Sequence, residues 1–184
     1  MRVAIPLRQS YKLINHGPTT LISSSAGGRR DVMAAAWVMG IDFEPPKLAA
    51  VIAAGTYTRE LIEASGEFAV SLPTRAQARL TYDVGNVSGR DVDKFANYRI
   101  GVSPGSHVQA PLIDGCVGWL ECRVLPEPEI AERYDLFVAE VVAAWADDEV
   151  WKHGAWEFSA DAQRTIHHLS SGTFLAIGER FKVS

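Results

Sequence analysis

Residues 53–73, AAGTYTRELIEASGEFAVSLP, hold the choice on which the fold turns. A strand of tiny residues empties into Thr56, Tyr57 and Thr58; a short helix is predicted over 58–65, Gly66 stops it, and EFAVSLP returns as a strand. Read blandly, this is a strand-helix-strand connection whose threonines only cap a helix. Read chemically, the first helical turn offers hydroxyls and free N–H groups at the positive end of the macrodipole, a seat for an anion such as a phosphate. On the chemical reading, Thr58 is the leading ligand, its hydroxyl pointing outward beside the free N–H groups.

Downstream, TRAQARLTYDVG (74–85) predicts a second helix, with a Thr-x-x-Gln capping box at its start and glycine at its end. A shorter turn follows Asp91 in DVDKFANY. Upstream and beyond, strands are predicted over 19–25 (TTLISSS), 32–40 (VMAAAWVMG) and 47–55 (KLAAVIAAG), and in EFAVSLP, GWLECRVLP, YDLFVAEVVAAW and TFLAIGERFKV. Regular strand-helix alternation is confined to the opening stretch, so a doubly wound sheet does not fit. Many short strands with a few helical inserts predict a mainly β chain, a barrel with peripheral helices, as one domain over 1–184.

The chain has 184 residues, 47% of them hydrophobic, enough for one substantial core. A net charge of −4 with scattered arginines, Arg29-Arg30 being the only adjacent pair, argues against nucleic acid as a partner. No apolar run approaches the roughly 18–20 residues of a membrane span, and the amino-terminal MRVAIPLRQSYKLI makes a poor signal peptide. Cys116 and Cys122 stand six apart; on one strand they share a face about 20 Å from each other, too far for a disulfide. Reduced thiols in a cytoplasmic protein are the simplest reading.

Three segments, SSSAGG, MAAAW and AAVIAAGTYT, line strand ends with Ser, Thr, Ala and Gly. Tight barrels need small residues too. Three such segments before a phosphate-type helix start favour a flat ligand on the barrel wall, bonded by backbone N–H groups, which makes Ser24, Ser25, Ala35, Thr56 and Tyr57 candidates beside Thr58. Trp37 either stacks on an aromatic ring or enters the core. Lys94 is either a solvated helix charge or a cation reaching a phosphate or ring carbonyl. Of His167-His168 only one can face inward from a strand, and no metal-type spacing surrounds them. No GxGxxG, GxxxxGK[ST] or Gly-x-Ser-x-Gly frame is present.

Taken in order, DVMAAAW, TYTRELIEASGEFAVSLP, SGRDVDKF, APLIDGCVGWLECRV and YDLFVAEVVAAW resemble the flavin reductase-like family of FMN-binding split barrels, its flavoredoxin-type branch above all, over about residues 10–181. The resemblance implies a split β-barrel, a homodimer with FMN near the subunit interface, and electron transfer from NAD(P)H through FMN to free flavin, a monooxygenase or another redox partner. It implies that Thr58 binds the phosphate, that Trp37 contacts the flavin and that Lys94 touches the cofactor. Asp31 stands where the family carries asparagine, so the resemblance leaves it a backbone N–H or ribityl contact. Tyr134 replaces a histidine of some relatives, and His168 or Phe174 is expected at the flavin edge. Two other readings compete: an FMN electron carrier without NAD(P)H activity, and a sensor module holding flavin or haem.

Overall fold

Along EFAVSLP the side chains alternate between two cores: Phe68, Val70 and Leu72 enter one, and Ala69 faces the other. The computed structural model, which describes residues 1–183, carries this alternation through a rolled antiparallel sheet. Its strands are β1 (Arg2–Ala4), β2 (Thr20–Ala26), β3 (Arg29–Ala35), β4 (Val38–Phe43), β5 (Pro46–Val51) and β6 (Glu67–Leu72). β7 (Val102–Ser103) and β8 (Leu112–Ile113) form a short outer pair, after which β9 (Gly118–Val124) and the long β10 (Leu136–Asp147) complete the sheet. Two ribbons follow, β11 (Trp151–Lys152) with β12 (Ala155–Trp156) and β13 (Ile166–Ser170) with β14 (Thr173–Ala176).

The hydrogen-bonded order is β3-β2-β6-β9-β10-β5-β4, with β1 added on β10. The two edge strands, β3 and β4, are consecutive in the chain and joined only by Ala36 and Trp37. So short a link draws the edges together, and the sheet is a split barrel. Its inner core gathers Ile22, Leu48, Phe68, Leu120 and Val141; the outer core, with Leu21, Val32 and Trp119, is joined by Val84 and Phe95 from helical segments and by Leu112 and Ile113 of the β7–β8 pair.

Among the described residues four α-helices lie outside, α1 (Tyr57–Ser65), α2 (Ala78–Gly85), α3 (Lys94–Asn97) and α4 (Pro128–Tyr134), besides short 3-10 turns such as Leu7–Leu13. α1 holds because Leu61 and Ile62 are fully buried, each contributing roughly 1.5–3 kcal/mol. It stops at Gly66, whose φ of 71° is cheap for glycine alone. The expected capping box is present, Thr74 and Gln77 bonding reciprocally before α2.

The structure corrects several sequence expectations. The strand expected over 32–40 is two strands, broken at Ala36–Trp37 as the chain passes from one sheet edge to the other. The strand expected over 47–55 ends at Val51. β5 and β6 are not neighbours, since β9 and β10 lie between them; α1 is no plain β-α-β crossover but carries the chain between two walls of the barrel. Cys116 precedes β9 and sits in the outer core, whereas Cys122 on β9 points into the inner one, so they share no face; both are free. α4 escaped notice, although Pro128 at its first turn is a start signal.

Candidate functional site

Three predicted residues meet beneath α1. The Thr58 hydroxyl donates to Asp31 Oδ2 at 2.7 Å. The Lys94 ammonium donates to the Val32 carbonyl at 2.6 Å and lies 3.2 Å from Asp31 Oδ1. All three side chains are at most 3% exposed. Gly89 packs against them so closely that a Cβ there would stand 2.4 Å from Asp31 Oδ1. Burial pulls the Lys94 pKa down, and the neighbouring Asp31 partly restores it. Lys94 is therefore neither a solvated charge nor free to reach an outside phosphate: its cation is matched by Asp31 within the protein.

This overturns the reading of Thr58 as an outward ligand or as the helix cap. The cap is Thr56, and its hydroxyl donates to the Ala53 carbonyl at 3.0 Å instead of capping the helix. Glu60 N–H is the first to bond back, to the Thr56 carbonyl at 3.3 Å; the N–H groups of Tyr57, Thr58 and Arg59 bond no acceptor among the described residues. The helix start is thus uncapped, as the chemical reading required, although the hydroxyl of Thr58 is not part of it.

Around that end stand two residues the sequence reading did not single out as ligands. Arg29 and Arg90 flank the Tyr57 ring, their guanidinium carbons 5.8 and 5.6 Å from its centroid. Both reach Glu60, at 3.6 and 3.0 Å, and Arg90 also donates to the Gly55 carbonyl at 2.6 Å. Arg90 lies inside SGRDVDKF, so the motif that drew attention to Lys94 already contained it. Ser24 and Ser25 are committed elsewhere: the buried Ser24 hydroxyl donates to the Glu67 carbonyl at 2.8 Å, and that of Ser25 to the Arg29 carbonyl at 3.1 Å.

A second group forms at the far end of β3. Ala35, His168 and Phe174 line a cavity of about 280 Å³ together with Tyr82, which sequence reasoning missed. The His168 and Phe174 rings are 5.2 Å apart, and His168 N–H bonds the Thr19 hydroxyl at 2.7 Å. Trp37 lines neither group. It is 74% exposed, which removes the core alternative, and it begins an exposed apolar row with Met39, Ile41 and Phe43 along the β4 edge. Tyr134 is exposed at the last turn of α4, beside Arg133, and not on a strand. The Trp37 carbonyl accepts from Val51 N–H at 3.0 Å and the Asp135 carbonyl from Ile52 N–H at 2.8 Å, so Trp37 and Tyr134 flank the strand end that leads into α1.

Known proteins share this architecture. The chain aligns with the flavin reductase like domain over residues 14–166. It is 46% identical over 181 residues to the uncharacterized protein YddH of Escherichia coli K12, covering 97% of this chain and 96% of that one. The crystal structure of an FMN-binding domain of a flavin reductases-like enzyme from Shewanella baltica OS155 superposes with a TM-score of 0.97 at 43% identity, over 100% of this chain and 98% of that one. Flavoredoxin of Desulfovibrio vulgaris (Miyazaki F) follows with a TM-score of 0.80 at 25% identity, over 91% and 90%. Coverage and shape agree, and the chain belongs to the flavin reductase-like family of split barrels.

Proposed function

We propose that this protein binds FMN and works as an oxidoreductase of flavin reductase or flavoredoxin type, taking electrons from NAD(P)H and passing them to free flavin, a monooxygenase or another redox partner. The observation that carries the reading is the uncapped start of α1 between Arg29 and Arg90. Three N–H groups without protein acceptors and two guanidinium groups suit a phosphate, with Glu60 as the only acid paired to them. The Shewanella relative, an FMN-binding domain, supports the choice of ligand.

In this reading the phosphate is held by the N–H groups of Tyr57 and Thr58 with Arg29 and Arg90, while Asp31, Thr58 and Lys94 form the neutral floor beneath. Between Asp31 and Ala35, β3 covers roughly 13 Å at ~3.3 Å per residue, and its small residues let a flat ring approach the backbone. Bound FMN would supply the redox chemistry, and the chain supplies position and polarity. Tyr82, His168 and Phe174 shape a cavity beside Ala35 in which a small planar partner could stack. The exposed row Trp37, Met39, Ile41 and Phe43 on an edge strand supports a homodimer joined along β4, close to the ring end of the site.

The test is an absorption spectrum of the purified protein with FMN, followed anaerobically by NADH, NADPH and then dithionite. A perturbed flavin band bleached by a pyridine nucleotide supports the reductase. Bleaching by dithionite alone replaces it with an electron carrier. No flavin band at all removes the proposal, and a haem band would put a sensor in its place.

A further inference from the structure

Behind the β13–β14 ribbon, on the side away from the Ala35 cavity, lies a cleft of about 1100 Å³ that the proposed flavin site does not use. The two sides follow from strand alternation: His168 lines the smaller cavity, and its neighbour His167 turns to His16, 5.8 Å away between ring centroids. The cleft wall is aromatic. Trp156 stacks on Phe158 at 5.6 Å with 15° between planes and meets Trp151 edge-on at 4.8 Å. The cleft lining mixes four basic groups, Lys12, Lys152, Arg164 and Arg180, with three acids, Glu149, Glu157 and Glu179, of which Glu157 is paired with Arg180. Arg164 is occupied by Asp161 and by the Ile177 and Gly178 carbonyls. Lys12 touches only the Gln9 amide oxygen, at 3.3 Å, and Lys152 only the Asp148 carbonyl; neither is ion-paired among the described residues.

Two buried polar atoms in this wall have no hydrogen-bond partner, His16 Nδ1 and Trp156 Nε1. His16 Nε2 lies 2.9 Å from the hydroxyl of the fully buried Thr165. The direction of that bond follows the ring tautomer: where the hydroxyl donates to Nε2, the ring proton sits on Nδ1. Burial, reinforced by His167, keeps the ring neutral, with a pKa pushed down to about 4. Trp156 Nε1 is therefore an unpaired N–H donor, and His16 Nδ1 an unpaired donor or acceptor according to its tautomer. Trp156 belongs to the two-residue β11–β12 ribbon, which is outside the barrel sheet and is the part that can yield to an entering molecule.

We propose that this cleft is a second binding site, separate from the flavin site, for a planar aromatic molecule carrying a carboxylate or a phosphate. The ring lies against Trp156 and Phe158, the anion meets Lys12 and Lys152, an acceptor atom takes the Trp156 N–H, and a polar atom pairs with His16 Nδ1. Aromatic acids and nucleotides share this chemistry.

Calorimetry with 4-hydroxybenzoate and with AMP tests it, using phenol and adenosine as their neutral counterparts. Each anion is expected to bind about ten-fold more tightly than its counterpart, and the double variant Lys12→Ala/Lys152→Ala to abolish that preference while leaving the neutral molecules unchanged. Trp156→Phe keeps the aromatic wall and removes one donor, and should weaken the anions several-fold. Binding by 4-hydroxybenzoate alone identifies an aromatic acid as the ligand, and by AMP alone a nucleotide. Absence of binding by both, or binding indifferent to the lysines, overturns the proposal. FMN affinity, read by flavin fluorescence in the same variants, should not change. If FMN competes with either probe in a lysine-dependent way, the cleft is the flavin's own seat and the second site is refuted.

Discussion

Beneath α1, Asp31, Thr58 and Lys94 bond one another and leave Asp31 Oδ1 with an ionic contact but no hydrogen bond, whereas beneath the β11–β12 ribbon His16 Nδ1 and Trp156 Nε1 have neither. Both clusters are buried, but one contains ions and the other neutral rings. A buried ion without a partner costs several kcal/mol, so a fold must match it. A buried neutral N–H without a partner costs about 1–3 kcal/mol, which a fold can tolerate where a ligand repays it. The comparison separates charge matching from neutral availability: the charge-matched cluster holds β3 and α1 in place while Asp31 Oδ1 keeps one accepting position open, and the neutral, unsaturated one is open to chemistry.

The sharpest way to break the contrast is to remove the cation from the charge-matched cluster. Lys94→Met leaves Asp31 buried without a counter-charge and should cost about 3–5 kcal/mol, read from the urea midpoint, while the double variant Asp31→Asn/Lys94→Met recovers part of it. The unsaturated cluster should fail through pH instead. His16 has a folded pKa of about 4, below its unfolded value of 6.5, so between these values the unfolded chain binds the extra proton. Stability is then full above pH 6.5 and falls as pH drops toward 4, by up to roughly 3 kcal/mol at 1.36 kcal/mol per unit. Urea midpoints at pH 7 and 4.5 check this, and His16→Gln should flatten the difference.

Thr58→Ala removes a hydrogen bond to a carboxylate and should cost about 1.5–3 kcal/mol of stability; a flavin affinity that falls without any loss of stability would return Thr58 to the role of direct ligand. Arg90→Ala should weaken FMN about ten-fold with riboflavin, which lacks the phosphate, little affected. Equal loss for both flavins would mean that Arg90 supports the site only through Tyr57 and Gly55. The smallest effect on the folded chain belongs to Trp37→Ala, within about 0.5 kcal/mol because the side chain is exposed, yet it should shift sedimentation from dimer to monomer.

How much of this was legible in the sequence depends on the range of the interaction. Gly66, the Thr74–Gln77 capping box and the strand in EFAVSLP are local, and they read correctly. The break at Ala36–Trp37 was not legible, because nothing in MAAAW is a turn signal; it exists because β3 and β4 bond different neighbours. Asp31, Thr58 and Lys94 were each found, but as separate ligands. Their pairing spans 27 and 63 positions, and no local pattern announces that two opposite charges neutralise each other. Arg90 was overlooked for the converse reason: in sequence it looks like a loop charge, and only the fold brings it to Tyr57. The cleft depends on Lys12 and His16 facing a ribbon over a hundred residues later, which composition cannot foretell.

The two-residue passage from β3 to β4 has a mechanical consequence. From Ala35 to Val38 the backbone spans three steps, at most roughly 11 Å even when fully stretched. At this rim the barrel cannot gape wider than that without breaking strand pairs. The other end of β3 joins β2 through the Gly27–Gly28 turn and is pinned to α1 through Asp31, but has no such leash to β4. The split barrel is therefore a cuff buckled at one rim, and any widening of its seam has to begin at the opposite rim.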